Sequence, residues 1–121
     1  MIVERYHYAP GVLVGNTLYV SGQVGRDENL TVIADKEGQF EQCFLNIKKV
    51  LDAAEFAFSD IVELESWFTH FPGDLALFMQ VKDRWIKGPI YPTWTGFQVS
   101  NFSMPGIICE VKVTAVRGGS P

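Results

Sequence analysis

The C-terminal segment from Ile107 to Val116 alternates strictly in polarity, and this pattern limits the fold more than any other. Every second residue is apolar: Ile107, Cys109, Val111, Val113 and Ala115. The residues between them are Ile108, Glu110, Lys112, Thr114 and Val116. Because successive side chains of a strand point to opposite faces of its sheet, the segment predicts a strand with one face on a core and one mixed face.

Two helical segments are available to cover the apolar face of this strand. From Lys36 to Glu55 the apolar residues recur at helical spacing: Phe40, Cys43, Phe44, Ile47, Val50, Leu51 and Ala54. A second helix is predicted after Pro72-Gly73-Asp74, with Asp74 as its N-cap, and Gly88-Pro89 ends it. Two helices cover only one face of a sheet, so the other face needs a different explanation.

The remaining strands are predicted around a Gly15-Asn16 hairpin turn and over 17–24, 61–71 and 93–100. The order is hairpin, strand, helix, strand, helix, strand and strand. It predicts an α+β fold in which a single sheet carries both helices on one side. We expect one domain over residues 1–121, with a loose tail at 117–121.

The face without helices is predicted to be both aromatic and charged, which is unusual for plain solvent-exposed surface. Its expected members are Tyr19, Ser21, Gln23, Glu63, Glu65, Trp67, Thr69, Trp94, Gln98, Glu110 and Lys112. Aromatic side chains among hydrogen-bonding groups are typical of an interface. We therefore predict a homo-oligomer that buries this face and places its site in a cleft between subunits.

Charge and cysteine usage exclude several classes of function. The net charge of -4 and pI of about 5.0 argue against a nucleic-acid partner, which would select a basic face. Cys43 and Cys109 lie in apolar periodic segments, so we interpret them as core thiols of a reducing compartment. No apolar run approaches a membrane span, and we expect a cytoplasmic protein with no membrane partner.

Common catalytic motifs and metal sites are also absent from the sequence. His7 and His70 are the only histidines and stand alone, which predicts no metal site. No nucleotide-binding glycine motif or serine-hydrolase elbow occurs. Glu110 lies mid-strand on the face expected to be buried, where a carboxylate either titrates upward and serves proton transfer or forms a cross-strand ion pair. Tyr8, before the hairpin, either packs strand against loop or lines a cleft.

Several segments together resemble the Rid family of YjgF-type proteins. They are "GNTLYVSGQVG", "NIKKVLDAA", "FSDIVELESWFTHF", "YPTWTGFQV" and "CEVKVTAV", and the match runs over residues 5 to 117 in the expected order. The resemblance implies a chorismate-mutase-like fold assembled as a homotrimer, with sites in the clefts between subunits. It also implies hydrolysis of enamine or imine intermediates, such as 2-iminobutanoate, without metal or cofactor. Some relatives are described as endoribonucleases, which the acidic charge here disfavours.

The resemblance assigns roles to individual positions. The family's site tyrosine corresponds to Tyr8, its serine in the S-G-Q segment to Ser21, and its water-positioning glutamate to Glu110. Tyr91 is the aromatic residue of the segment that carries the family's carboxylate-binding arginine. These positions predict Glu110 and Tyr8 as catalytic, and Ser21 and Tyr91 as substrate-binding.

Three positions depart from the family pattern together. Trp94 stands at the arginine position, Gly96 where a cysteine is common, and Gly88 where an asparagine is common. An indole N–H is a single neutral donor and does not replace a bidentate guanidinium. We therefore predict that Trp94 and Gly96 contact a substrate other than a 2-imino acid. Two alternatives are a non-catalytic trimer that binds a small molecule or protein, and a cleft that Trp94 fills.

Overall fold

The computed structural model describes residues 7–118, which contain two long helices, one short 3₁₀ helix at 58–60 and five strands. The helices are α1 (Lys36–Ala53) and α2 (Leu75–Trp85). The strands are β1 (Gly11–Val14), β2 (Thr17–Val24), β3 (Ile61–Phe68), β4 (Thr93–Gln98) and β5 (Cys109–Val116). The predicted α+β class and the element order are confirmed. In the part of the chain described, no helix is long and apolar enough to cross a bilayer.

The five strands form one mixed sheet in the order β1-β2-β5-β3-β4. All neighbouring pairs are antiparallel except β3 and β4, which α2 connects as a parallel crossover. Helix α1 begins at the N-cap Asp35, whose carboxylate accepts a hydrogen bond from the amide of Gly38 at 2.8 Å. This topology puts β5 in the centre of the sheet and leaves β1 and β4 as edges.

Both helices pack on one side of the sheet, as the alternation of β5 predicts. Cys109, Val111, Val113 and Ala115 of β5 are fully buried. One side of α1 is buried with them: Phe40, Cys43, Phe44, Ile47 and Leu51. The opposite side of the sheet, called the open face below, is uncovered in the single chain. It carries Val12, Val14, Tyr19, Glu65, Trp67, Phe97, Glu110 and Lys112.

Strand β2 contains a bulge that the sequence pattern did not predict. Its register with β5 shifts between Val20 and Gln23, so that Gln23 pairs with Val111 and Val24 pairs with Glu110. Paired residues point to the same side of a sheet. The bulge therefore turns Gln23 toward the helices and Val24 toward the open face, and the prediction for Gln23 is wrong.

The predicted orientation of β4 is also wrong. Trp94 pairs with Leu64 and Gln98 pairs with Phe68, and both partners are buried beneath the helices. Trp94 and Gln98 therefore lie on the helix-facing side, and Phe97 occupies the open face. The segment T-W-T-G-F-Q places one aromatic residue on each side, so its alternation does not fix which side meets the core.

Two local predictions at element ends need correction. Asp74 holds the N-cap position of α2, but its side chain makes no capping hydrogen bond and instead binds Lys36 Nζ at 2.7 Å. The tail predicted to be loose from residue 117 begins with an ordered residue. Arg117 donates a hydrogen bond to the carbonyl of Ala54 and packs over the ring of Phe56. Residues 119–121 lie outside the described part of the chain.

Candidate functional site

A cavity of about 630 Å³ opens where the end of β2 meets the start of β5. Its walls come from the segment before β1, the bulge of β2, the loop after β2, one side of α1 and the loop before β5. The polar residues among them include Tyr8, Ser21, Arg26, Asn46, Lys49 and Glu110. Three of the residues predicted from the sequence, Tyr8, Ser21 and Glu110, thus line one cavity.

Glu110 is the most chemically distinctive group in this cavity. Its carboxylate is half-buried and packs over Gly22, and burial raises its pKa above the usual value for a glutamate. Within residues 7–118 the Glu110 carboxylate makes no hydrogen bond or ion pair. The alternative of a cross-strand ion pair therefore finds no partner among these residues. A carboxylate with a raised pKa and unused lone pairs is suited to accept a proton from water.

Ser21 connects the bulge to the segment that carries Tyr8. Its hydroxyl donates to the carbonyl of Ala9 at 2.7 Å, and its amide donates to the carbonyl of Pro10 at 2.8 Å. These two bonds hold residues 8–10 against β2 and place Tyr8 at the cavity wall. Because the hydroxyl proton is engaged, Ser21 offers the cavity acceptor lone pairs only.

Gly22 is expected to be essential for the position of Glu110. A Cβ at residue 22 would overlap the Glu110 carboxylate, so alanine must displace that side chain. We expect Gly22→Ala to lower the activity of the site about tenfold or more, with little loss of thermal stability. In a Glu110→Gln background the same substitution should add little, because both act through one group. An independent effect in that background would contradict this role of Gly22.

The other predicted site residues lie away from this cavity in the single chain. Trp94 donates its indole N–H to Ser66 Oγ at 2.8 Å and packs against Phe78, with Lys82 Nζ 4.9 Å from its ring centre. A Cβ at Gly96 would lie 3.4 Å from Ser66 Oγ and 3.7 Å from the ring of Phe71, so Phe71, and not the Trp94 ring, occupies the space beside this glycine.

Tyr91 precedes β4 and is likewise remote from Glu110. Its side chain is 64% exposed and lies over Gly88, where any Cβ would meet the tyrosine hydroxyl. Strand β4 begins beside Glu63, near the start of β3, whereas Glu110 pairs with Trp67 near the end of β3. Within one chain, Tyr91 and Glu110 therefore stand toward opposite ends of the sheet.

Gln39 supports the cavity and was missed by the sequence pattern. It is buried, and its side chain binds the backbone of the loops on either side: Ile33 O at 3.0 Å, Gly106 O at 2.8 Å and Ile108 N at 2.8 Å. The only sequence signal is a polar residue at a helix position next to Phe40, on the side that faces the core.

The other titratable side chains of residues 7–118 offer no second reactive centre. Among residues 7–118, no group of three histidine, cysteine or acidic side chains is placed to hold a metal ion. Cys43 and Cys109 are buried free thiols, in agreement with their interpretation as core residues. Burial raises the pKa of the Cys109 thiol well above its usual value, which keeps it protonated and unreactive.

Comparison with known proteins gives one consistent family. A family model described as endoribonuclease L-PSP matches residues 2–117. The chain is 34% identical over 114 residues to the RutC family protein YjgH of Escherichia coli K12, covering 94% of this chain and 86% of that protein. It is 31% identical over 84 residues to a 2-iminobutanoate/2-iminopropanoate deaminase of Dermatophagoides farinae, covering 68% and 65%.

The fold is shared with solved structures of the same group. RidA from the Antarctic bacterium Psychrobacter sp. PAMC 21119 superposes with a TM-score of 0.84 at 32% sequence identity. That match covers 90% of this chain and 87% of the other. The YjgF-type fold predicted from the sequence is therefore confirmed.

Proposed function

Because the chain belongs to the endoribonuclease L-PSP family, the Rid family of YjgF-type proteins, we propose that it hydrolyses a small enamine or imine. The proposal depends above all on Glu110, a half-buried carboxylate with a raised pKa and no bonded partner in residues 7–118, at the wall of a 630 Å³ cavity. A relative named as a 2-iminobutanoate/2-iminopropanoate deaminase supports the reaction class. The reaction needs no cofactor or metal.

In the proposed reaction, Glu110 moves a proton between water and nitrogen. The oxygen of water bonds to the carbon of the protonated imine while one water proton passes to the Glu110 carboxylate. Glu110 then returns that proton to the nitrogen. The C–N bond breaks as the new hydroxyl group passes its proton to Glu110, and the departing ammonia takes up this proton. A carbonyl compound and ammonium leave. Tyr8 donates a hydrogen bond to the substrate, and Ser21 accepts one.

We further propose that the working site is completed by self-association, as a homotrimer. The open face exposes apolar side chains around the site, among them Tyr19 at 50% and Phe97 at 48% exposure, with Phe97 stacked on Trp67. Burial of such a patch favours a second copy of the chain. In this assembly the edge strand β4 of one subunit brings Trp94, Gly96 and Tyr91 toward the Glu110 cavity of the next.

We also propose that the cavity beside Glu110 admits a ligand and that the protein works in the cytoplasm. Trp94 packs within its own chain on Phe78 and Ser66, and the cavity beside Glu110 stands open. These observations favour a site that admits a ligand over one that Trp94 fills. Two unpaired, buried cysteines support a reducing compartment, and we place the reaction in the cytoplasm.

The substrate preference is tested with 2-iminobutanoate generated in situ. We expect hydrolysis near the uncatalysed rate, because loss of a bidentate guanidinium contact costs a few kcal/mol of carboxylate binding. Trp94→Arg should raise this rate at least about tenfold. Gln80→Arg, on the exposed side of α2, is the control for the added charge and should not. Rapid turnover by the wild type would refute the proposed importance of the missing arginine, and no gain with Trp94→Arg would refute its place in the cleft.

A further inference from the structure

Arg26 lines the Glu110 cavity but has no part in the reaction proposed above. It comes two residues after Val24, which pairs with Glu110, and its side chain lines the cavity together with Lys49 of α1. Neither side chain forms an ion pair within the described part of the chain. Among residues 7–118, two cations thus line a ligand-sized space without a bonded acidic partner, although the carboxylates of Asp27, Glu28 and Glu110 line it as well.

Within residues 7–118, the contacts of Arg26 leave most of its hydrogen-bonding capacity unused. Its guanidinium donates to Met104 Sδ, a weak acceptor that fixes the direction of the side chain. The neighbouring carboxylate of Asp27 accepts instead from the amides of Asn29 and Thr31, at 2.9 and 3.0 Å. The acidic group nearest in sequence is thus engaged by its own loop, and the Arg26 fork remains available to a ligand.

We propose that Arg26 binds the anionic group of the ligand, and that this group is a carboxylate separated from the reacting carbon. A planar guanidinium matches a carboxylate by paired hydrogen bonds. The separation follows from the position of the guanidinium, because Arg26 lies beyond the end of β2, two residues after Val24 that pairs with Glu110, and its side chain is directed to Met104 in the loop before β5. The part of this inference that concerns the reacting carbon depends on the function proposed for Glu110.

Three unreactive ketones test this inference by binding alone. In 2-oxobutanoate the carboxylate adjoins the carbonyl group, in 4-oxopentanoate two methylene groups separate them, and 2-pentanone has no charge. We expect the wild-type protein to bind 4-oxopentanoate about tenfold or more tightly than either of the others, measured by calorimetry. Equal affinity for 4-oxopentanoate and 2-pentanone would overturn the proposal.

Variants of Arg26 then assign the selectivity to this residue. Arg26→Gln should remove the preference for 4-oxopentanoate over 2-pentanone, and Arg26→Lys should retain part of it. Arg84→Gln is the matched control, because Arg84 pairs with Glu37 on the exposed side of the helices, and it should leave the preference unchanged. If Arg26→Gln fails to fold, the wild type still decides, since 4-oxopentanoate should shift the NMR resonance of the Arg26 Nε–H.

The outcomes separate this inference from the proposed hydrolase. Arg26-dependent binding without imine hydrolysis would uphold the anion site and refute the reaction. The opposite result is that hydrolysis depends on Glu110 while Arg26→Gln leaves carboxylate binding intact. It would refute the anion site and uphold the reaction. Binding of all three ketones that survives Arg26→Gln unchanged would likewise overturn the role of Arg26.

Discussion

Glu110→Gln is expected to lower the rate of imine hydrolysis by about 10²–10⁴-fold, the usual contribution of a positioned general base. Glutamine keeps the size of the side chain and its place over Gly22 but accepts no proton at catalytic pH. The loss should appear in kcat/KM under steady-state conditions with the best imine of a substrate panel. Binding of 4-oxopentanoate should be retained, because its carboxylate is assigned to Arg26.

The same variant should change how activity and stability depend on pH. Hydrolysis needs ionised Glu110, so wild-type activity should fall as pH drops through the raised pKa of this group. The residual activity of Glu110→Gln should not show this decrease at low pH. The folded protein binds the proton more tightly than the unfolded chain, so wild-type stability should fall as pH rises from 4.5 through the raised pKa. Glu110→Gln should therefore gain stability relative to wild type at neutral pH.

Glu65→Gln is the matched control for these measurements. Glu65 lies on the open face, two residues before Trp67 on β3, and pairs with Lys112 rather than with a cavity residue. We expect the Glu65→Gln variant to match the wild type in its activity and in the decrease of that activity at low pH. An unchanged rate in Glu110→Gln, or equal losses in both variants, would contradict the assignment of Glu110 as the proton acceptor.

The sequence predicted the features that depend on strong periodicity. The alternation of β5 and the helical spacing of α1 determine which side of each element is apolar, and the buried residues agree with both. Because Glu110 alternates with Cys109 and Val111, its place on the open face followed directly. Ser21 and Tyr8 were found through the family resemblance, and the structure brings them to the same cavity as Glu110.

The features that were mispredicted depend on tertiary geometry. A single extra residue in the bulge of β2 exchanges the sides of Gln23 and Val24, and no local pattern marks it except Gly22 inside the strand. Strand β4 has an aromatic residue on each side, so its orientation is decided by pairing with β3. The Arg26 position was overlooked because it lies in a loop whose path depends on Asp27 and Gln39.

Gln39→Leu is expected to destabilise the fold by about 3 kcal/mol and to loosen the cavity at the same time. Leucine fits the volume but leaves two carbonyl groups, of Ile33 and Gly106, and the amide of Ile108 without their partner. Gln39 also packs directly on Gly25, at the start of the loop that carries Arg26. The loss in free energy of unfolding is measured by urea denaturation.

The loosening should be local as well as global, and hydrogen exchange distinguishes the two. In Gln39→Leu, the amides of 25–33 and 106–108 should exchange through local openings that cost less free energy than global unfolding. The amides of β3 should still exchange only as fast as the lowered global stability requires. Gln80→Leu on α2, exposed and without a side-chain hydrogen bond in the described part of the chain, should change stability by less than about 0.5 kcal/mol. Uniformly faster exchange would show that Gln39 stabilises the core as a whole and does not specifically hold the two loops. The shape of the cavity would then depend on Ser21 and the bulge of β2.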